Sequence, residues 1–459
     1  MENKKNIDSK ELTEFLNDIN SEKVAEFRND INSEKVAEFR NDINSEKVAE
    51  FRNDIKSNEL VNIPYNIDKE FSIKKIVDDI FPFIVHIRRQ IHQNPELSEK
   101  EFLTKELILR YLKEFDIDYI EYDRNNAVTG FIDIGASKTI AIRADMDALP
   151  ITENLNHSYI SKNKGVMHAC GHDAHTAILL GTCKALSILK NRLNVNVKFF
   201  FEPAEETIGG AKFMIADGCM ENPIVDCVFG YHVDPNIEAK KIGIKYGILN
   251  ACSELINLEV IGKKSHAAYP HMGTDAIVIA GNIITALQTI SSRNIDPFNP
   301  IALSFGTING GLRENIVCDN VKIKGTLRCI DTSVKDNVKN RIVEICDCIS
   351  KGLGGSAKVE FTESYPILKN CEKIVDYIKN NANCLLGEEN VIIKENASLG
   401  TEDFSYFLQK TKGAFIQIGC ANYEKKINSP LHSSSFDIDE ECLKTGVMIN
   451  LINVLNYRI

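Results

Sequence analysis

Three short segments read as strands buried in a sheet, and each ends at residues that can bind a metal or move a proton. Residues 139–144 (TIAIRA) run into the turn-like DMDALP. Residues 195–201 (VNVKFFF) run into EPAEE, and residues 228–231 end at His232. The pattern over 173–190, between the first two, reads as a helix. Buried strands alternating with helices imply a largely parallel sheet with helices on both faces. In such open sheets, sites gather beyond the carboxyl ends of the strands.

The rest of the chain fits around that sheet. Residues 73–93 have helical periodicity, with Pro82 predicting a break or kink. The texture changes over 253–363: 254–261 and 321–330 alternate like half-buried strands, and 274–292 and 333–351 are helical. Two helices and about four strands in such a length suit a small α+β domain inserted into a larger one. After Tyr365 and Pro366 the α/β texture returns, with a strand at 415–419 and a closing helix at 440–455. The expected division is a catalytic domain at 66–252 and 364–459, with an inserted domain at 253–363.

Residues 1–60 read differently. NDINSEKVAEFR occurs at 17–28, 29–40 and 41–52, and a fourth copy begins at Asn53. Twelve residues at about 100° each leave a drift of roughly 120° per repeat, so one apolar seam cannot persist along a straight helix. A broken or mobile helical appendage is expected, a tolerated expansion rather than a docking arm.

Composition excludes some functions. Lys plus Arg number 54 against 65 Asp plus Glu, a net charge of −11, which argues against nucleic acid as a partner. No apolar run approaches the roughly 18 residues of a membrane helix, and the first ten residues lack the apolar core of a secretory leader. The 13 cysteines form no C-x-x-C pair and read as reduced thiols of a cytoplasmic protein.

The chemistry lies in four loops: HACGHDAH at 168–175, PAEE at 203–206, YHVDP at 231–235 and LHSSSF at 431–436. In an extended turn, Cys170 and His172 point the same way and could face one ion. Thiolate and imidazole suit zinc, manganese or a similar divalent metal. Glu205 and Glu206 follow a buried strand and a Pro-Ala turn, so one can hold a metal while the other works as a general base. Alone, each of these features is more often structural; an adjacent Glu pair is usually a solvated helix start, and a lone histidine a satisfied one.

Together they resemble the metallopeptidase family M20, in its amidohydrolase branch of hippurate hydrolases, auxin-conjugate hydrolases and N-acyl-amino-acid deacylases. The matching strings, in family order, are RRQIHQNPELS at 88–98, IRADMDALPITE at 142–153, HACGHDAHTA at 168–177, EPAEE at 202–206, HVDP at 232–235, SHAAYPHMGTDAI at 265–277, GTINGG at 306–311, TEDFSYF at 401–407 and PLHSSSF at 430–436. The resemblance implies an open, mostly parallel catalytic sheet with an inserted ferredoxin-like lid that also dimerises. It implies two divalent ions per subunit, manganese or zinc, with cobalt or nickel as alternatives. Their implied ligands are Cys170 (bridging), His172, Glu206, His232 and His432. Glu205 matches the general base, and Asp147 the carboxylate behind the metals, where Asp145 stands in place of the histidine of H-x-D. His266 matches a lid histidine that reaches the substrate carbonyl, often in the neighbouring subunit. Departures from the family pattern are Glu202 for a common Gln, Asn315-Ile-Val-Cys-Asp319 for N-V-I-P-D, and Ser434 for a frequent proline.

The implied reaction is metal-dependent hydrolysis of N-acyl amino acids by a cytoplasmic homodimer. Arg313 and Arg328 are candidates to hold the amino acid's carboxylate. Two other readings stand beside it: a dipeptidase or aminopeptidase of the same superfamily, and a non-catalytic metal-binding scaffold. The C-x-H motif favours the N-acyl branch, and the intact Glu205 argues against the scaffold.

Overall fold

The computed structural model describes residues 67–122 and 125–458, with side chains from Ile73 onward; the repeats lie outside the described residues. In chain order the helices are α1 (Ile67–Gln93), α2 (Phe102–Glu114), α3 (His172–Ile188), α4 (Gly210–Ala216), α5 (Ala276–Thr289), α6 (Thr332–Gly352), α7 (Glu372–Leu386), α8 (Ser405–Leu408) and α9 (Glu441–Leu455). The strands are β1 (Asp118–Glu121), β2 (Val128–Ile132), β3 (Thr139–Asp145), β4 (Asn196–Glu202), β5 (Cys227–Glu238), β6 (Ile242–Ile244), β7 (Gly247–Asn250), β8 (Cys252–Ile261), β9 (Ile301–Gly310), β10 (Asn320–Cys329), β11 (Ser356–Glu363), β12 (Leu368–Asn370), β13 (Val391–Ile393) and β14 (Lys412–Ala421).

Eight strands form the large sheet, in the order β1-β2-β4-β3-β5-β14-β6-β13. Its centre is parallel: β3 pairs with β4 and β5, and β5 with β14. Antiparallel pairs occur at β1–β2, β2–β4 and β6–β14. β3 and β4 are buried at every position, as expected of strands covered on both faces. Phe199, Phe200 and Phe201 are all fully buried, and each contributes about 1.5–3 kcal/mol of transfer free energy.

Pro82 does not break α1, which is one continuous helix. Proline inside a helix costs about 3 kcal/mol. The same helix buries Ile73, Val77, Ile80, Ile84, Ile87 and Ile91 on one stripe, at spacings of three and four residues. Six such side chains, at about 1.5–3 kcal/mol each, outweigh the proline. Helices α1 and α9 both pack on α3, which is buried nearly all round.

The small sheet is antiparallel throughout, in the order β11-β8-β10-β9. Its core is its own: Ile256, Leu258 and Val260 of β8 and Val321, Ile323 and Leu327 of β10 pack beneath α5 and α6. Asp275 and Asp331 cap these helices, each side chain accepting from two backbone N–H groups of the first turn. Helix α5 stops earlier than the apolar pattern suggests, giving way to a wider turn over 290–294.

Candidate metal centre

Cys170 and His172 are brought together by a sharp turn rather than by an extended one. Gly171, between them, sits at φ 86° immediately before α3. A Cβ there would lie 2.4 Å from Val233 Cγ2, so only glycine fits. His172 then opens α3, and its Nδ1 lies 3.1 Å from Asp147 Oδ1. Its Nε2 is buried with no hydrogen-bond partner among the described residues. Although burial opposes it, Asp145 and Asp147 push the His172 pKa up to about 10. A metal at Nε2 would take the place of that second proton.

Asp147 positions three parts of the site at once. Beyond His172, its Oδ1 accepts from the Glu205 N–H at 3.2 Å, and its Oδ2 accepts from the Glu206 N–H at 3.1 Å and from Ser98 Oγ at 2.6 Å. The PAEE loop is thereby held against the exit of β3. Ala204 takes a left-handed φ of 59° in this loop, a strained conformation of the kind that clusters at functional sites.

His232 does not stand at the end of its strand. β5 runs on to Glu238, so the ring projects from mid-strand. The extension is explained by β14, which pairs with β5 past His232 to Asp234 and again at Glu238. His232 Nδ1 donates to the Val233 carbonyl at 2.7 Å, which leaves Nε2 free, 3.3 Å from Cys170 Sγ. Burial, helped by the neighbouring His175 ring, pushes His232 down to about 3, so the ring is neutral. From the other side His432 Nε2 also lies 3.3 Å from Cys170 Sγ, on a residue held at φ 62°. Glu206 Oε1 is 3.1 Å from His432 Nε2 yet has no aligned hydrogen-bond donor among the described residues.

The donor atoms therefore form overlapping sets, two of which share the thiol: Cys170 with His172 and His232, Cys170 with Glu206 and His432, and His172 with Glu205 and Glu206. Burial and the carboxyls of Glu206, Glu205 and Asp145 push the Cys170 thiol well up, so a cation is required to hold it as thiolate. Thiolate, imidazoles and carboxylates, with orphaned Nε2 and Oε1 atoms turned inward, fit a divalent metal. Glu205 is buried beside them, and its carboxyl is pushed up by burial and by Glu402, Asp403 and Glu206.

Two residues from the sequence reading stand apart. His266 is exposed on the small-sheet side, where its Nδ1 accepts from the Ala268 N–H at 3.0 Å, and it does not line the cleft above Cys170. Arg313 is also exposed and outside that cleft. The cleft, of about 510 Å³, is lined from the large-sheet side by Cys170, Glu205 and His432 and from the small-sheet side by Leu255, Thr326 and Arg328.

The sequence reading missed a layer behind the site. Arg143 is fully buried and meets four carboxylates: Asp145, Glu202 and Asp403 at 2.7 Å and Glu402 at 3.1 Å. One guanidinium cannot neutralise four charges. Burial, together with the nearby Asp403 and Asp145, therefore raises Glu402 to about 8 even with Arg143 beside it. The signal in the sequence was the Glu-Asp pair of TEDFSYF. Tyr365, whose hydroxyl donates to the Glu205 carbonyl at 2.5 Å, gave no signal at all.

Known proteins share this architecture. The family described as peptidase family M20/M25/M40 matches residues 141–451. A hippurate hydrolase of Campylobacter jejuni is 38% identical over 358 residues, 78% of this chain and 92% of that protein. Thermostable carboxypeptidase 2 of Saccharolobus solfataricus is 37% identical over 391 residues, 84% of this chain and 98% of that protein. The crystal structure of a dinuclear metal-binding M20-family peptidase of Bacillus subtilis superposes with a TM-score of 0.71 at 28% identity, covering 83% of this chain and 98% of that one.

Proposed function

The chain belongs to peptidase family M20/M25/M40, and from that premise we propose that it is a metal-dependent amidohydrolase of N-acyl amino acids, releasing a carboxylic acid and an amino acid. The observation that carries this reading is one buried thiol with imidazoles 3.3 Å away on either side and a carboxylate pair within reach. Cys170, His172, Glu206, His232 and His432 would hold two divalent ions per subunit. Manganese or zinc suits this mixed N, O and S set, and cobalt or nickel could substitute. Bound there, such ions supply Lewis acidity toward the amide carbonyl and lower the pKa of water.

The chain's own residues do the rest. Glu205 takes the proton of the attacking water and passes it to the leaving amine nitrogen. Asp147 keeps Glu205, Glu206 and His172 in register through three hydrogen bonds. Tyr365 fixes the Glu205 backbone from the opposite side. Arg328 lines the cleft and is our candidate for the substrate carboxylate. His266 stabilises the oxyanion, and its exposed place outside the cleft of its own chain is the reason we assign it to the site of the partner subunit in a homodimer. We read 66–252 with 364–459 as the catalytic domain, 253–363 as the lid and 1–60 as an appendage. Thirteen cysteines with no C-x-x-C pair suit a reducing compartment such as the cytoplasm; no described helix is long and apolar enough to cross a membrane.

The test is release of free amine from N-acetyl and N-benzoyl amino acids. Chelated protein should be inactive, and added manganese or zinc should restore turnover. Undiminished activity in protein shown to be metal-free would refute the reading. A second reading, removal of the C-terminal amino acid of a peptide, is favoured by the carboxypeptidase relative. Preferred turnover of peptides with a free amino terminus in the same panel would select it.

A further inference from the structure

Outside the cleft, a second group of imidazoles and carboxylates is left with unanswered donor atoms. His92 of α1 is fully buried, and its Nδ1 lies 2.7 Å from Asp173 Oδ2, one residue beyond His172. That carboxylate accepts from the Nδ1–H and leaves Nε2 facing Glu153 Oε1 at 3.1 Å. Glu153 Oε2 is already engaged, accepting from the Ser161 N–H at 2.7 Å. His157 Nε2 approaches the same Oε1 at 3.4 Å. Both His157 ring nitrogens are inaccessible to solvent and lack an aligned hydrogen-bond partner among the described residues. His168, its ring centroid 6.4 Å from that of His92, is 1% exposed with both nitrogens in the same condition.

Two ring nitrogens are turned toward one carboxylate oxygen, and a positive charge between them would satisfy all three atoms. A second proton on His92 would answer Glu153. Burial and Arg88 both lower the His92 pKa, but Asp173 and Glu153 raise it by more. That proton does nothing for His157, which burial keeps neutral. A divalent ion answers all three atoms. With metal–nitrogen and metal–oxygen bonds of about 2.0–2.1 Å, a tetrahedral site spaces its ligands by roughly 3.3 Å. The two measured separations are 3.1 and 3.4 Å, and all three ligand atoms lie within 4.8 Å of one another. The charge permits it: Glu153, Asp173, Asp437 and Glu440 are set against Arg88 and Arg89. His157 is also held in place, stacked on Tyr159 with ring centroids 3.8 Å apart and planes 18° from parallel.

We propose that His92, Glu153 and His157 form a separate structural site for a zinc-type divalent ion, tying the loop that leads into HACGHDAH to α1 and to the first turn of α3. None of the three lines the catalytic cleft. The site is independent of the amidohydrolase reading and can be counted without it.

The experiment is a zinc count on the full-length protein, chelated, reloaded with Zn²⁺ and dialysed. His157→Leu should lose about one zinc per chain relative to wild type and keep its turnover of N-acyl amino acids. The same count in a Cys170→Ala, His432→Ala background breaks the two donor sets that share the thiol, so that the count no longer rests on an intact catalytic centre. There, about one zinc per chain should remain, and His157→Leu should remove it. Should the leucine variant fail to fold by circular dichroism, His157→Gln serves, since it keeps a polar side chain but not the imidazole. Cobalt reloading of the same background should give visible d–d absorption that either His157 variant abolishes. Equal zinc in the wild type and the His157 variants, or no zinc in the Cys170→Ala, His432→Ala protein, would overturn the proposal and leave a protonated His92 as the cation of this cluster.

Discussion

The two sheets of this chain bury themselves differently. β3 and β4 are buried at all their positions, whereas β8 and β10 alternate between buried and exposed or half-buried ones. A strand covered on both faces has no surface of its own on which to place chemistry. Most of the candidate functional side chains of the large sheet accordingly lie in loops: Asp147 after β3, Glu205 and Glu206 after β4, His432 after β14. The small sheet keeps a second face and exposed apolar residues such as Ile308 and Leu312, and it carries His266 in a loop apart from the cleft. On the proposed reading, the contrast is between a region that would perform chemistry inside itself and one whose contribution would need a second molecule.

The sharpest test on the large-sheet side is Glu205→Gln. Metal content should stay at the wild-type level while kcat falls by about 10²–10⁴, the usual worth of a general base. Full activity in a metal-loaded variant would remove Glu205 from its role and with it the self-contained site.

On the small-sheet side the corresponding change is His266→Ala, expected to cost about 10²–10³ in kcat as the loss of one oxyanion donor. What distinguishes it is rescue in trans. Inactive Glu205→Ala and inactive His266→Ala protein, mixed and allowed to exchange subunits, should recover roughly a quarter of wild-type activity. Random pairing makes about half of the dimers mixed, and each mixed dimer has one intact site. No recovery, with exchange verified separately, would return His266 to its own chain and erase the contrast.

Asp147→Asn should have a smaller effect of a different kind. It keeps the shape but weakens the hold on His172, Glu205 and Glu206, so metal affinity should fall by about 10–100-fold. Excess metal should then restore most of the lost turnover, which it cannot do for Glu205→Gln. Metal titration of activity separates the two, and an Asp147→Asn protein beyond rescue would make that carboxylate chemical rather than positional.

The same contrast governs what could be read without coordinates. TIAIRA and VNVKFFF announce their strands because continuous burial leaves an unmistakable apolar pattern, and the helices over α5 and α6 show their period plainly. β1, exposed at all four positions, left no such trace. Local order was also misjudged where tertiary pairing decides it. β14 carries β5 beyond His232, and the six buried side chains of α1 override Pro82. The proposed metal ligands were legible because each lies within a distinctive string. The Arg143 cluster was not, since its members are as far apart as 260 residues in sequence. Nor was the His92, Glu153 and His157 group, because a histidine in a polar loop carries no periodic signal.

A last, smaller effect asks whether the two regions are also two folding units. The small sheet has its own core, and two short crossings near Cys252 and Ser364 join it to the rest. If those crossings transmit little, Ile323→Val on β10 and Ile142→Val on β3 should act on different transitions. Each removes one methylene from a residue no more than 1% exposed, at a cost of about 0.5–1.5 kcal/mol. For a unit of about 60–100 residues, each kcal/mol lowers Tm by roughly 4–8 °C. The larger unit should move less, because its unfolding entropy is greater. Calorimetry of metal-free protein should then show two transitions. Ile323→Val should displace one by several degrees and leave the other in place, and Ile142→Val should do the converse. A single transition lowered by both variants would mean that the crossings couple the sheets into one cooperative structure, so that the division lies in their chemistry and not in their folding.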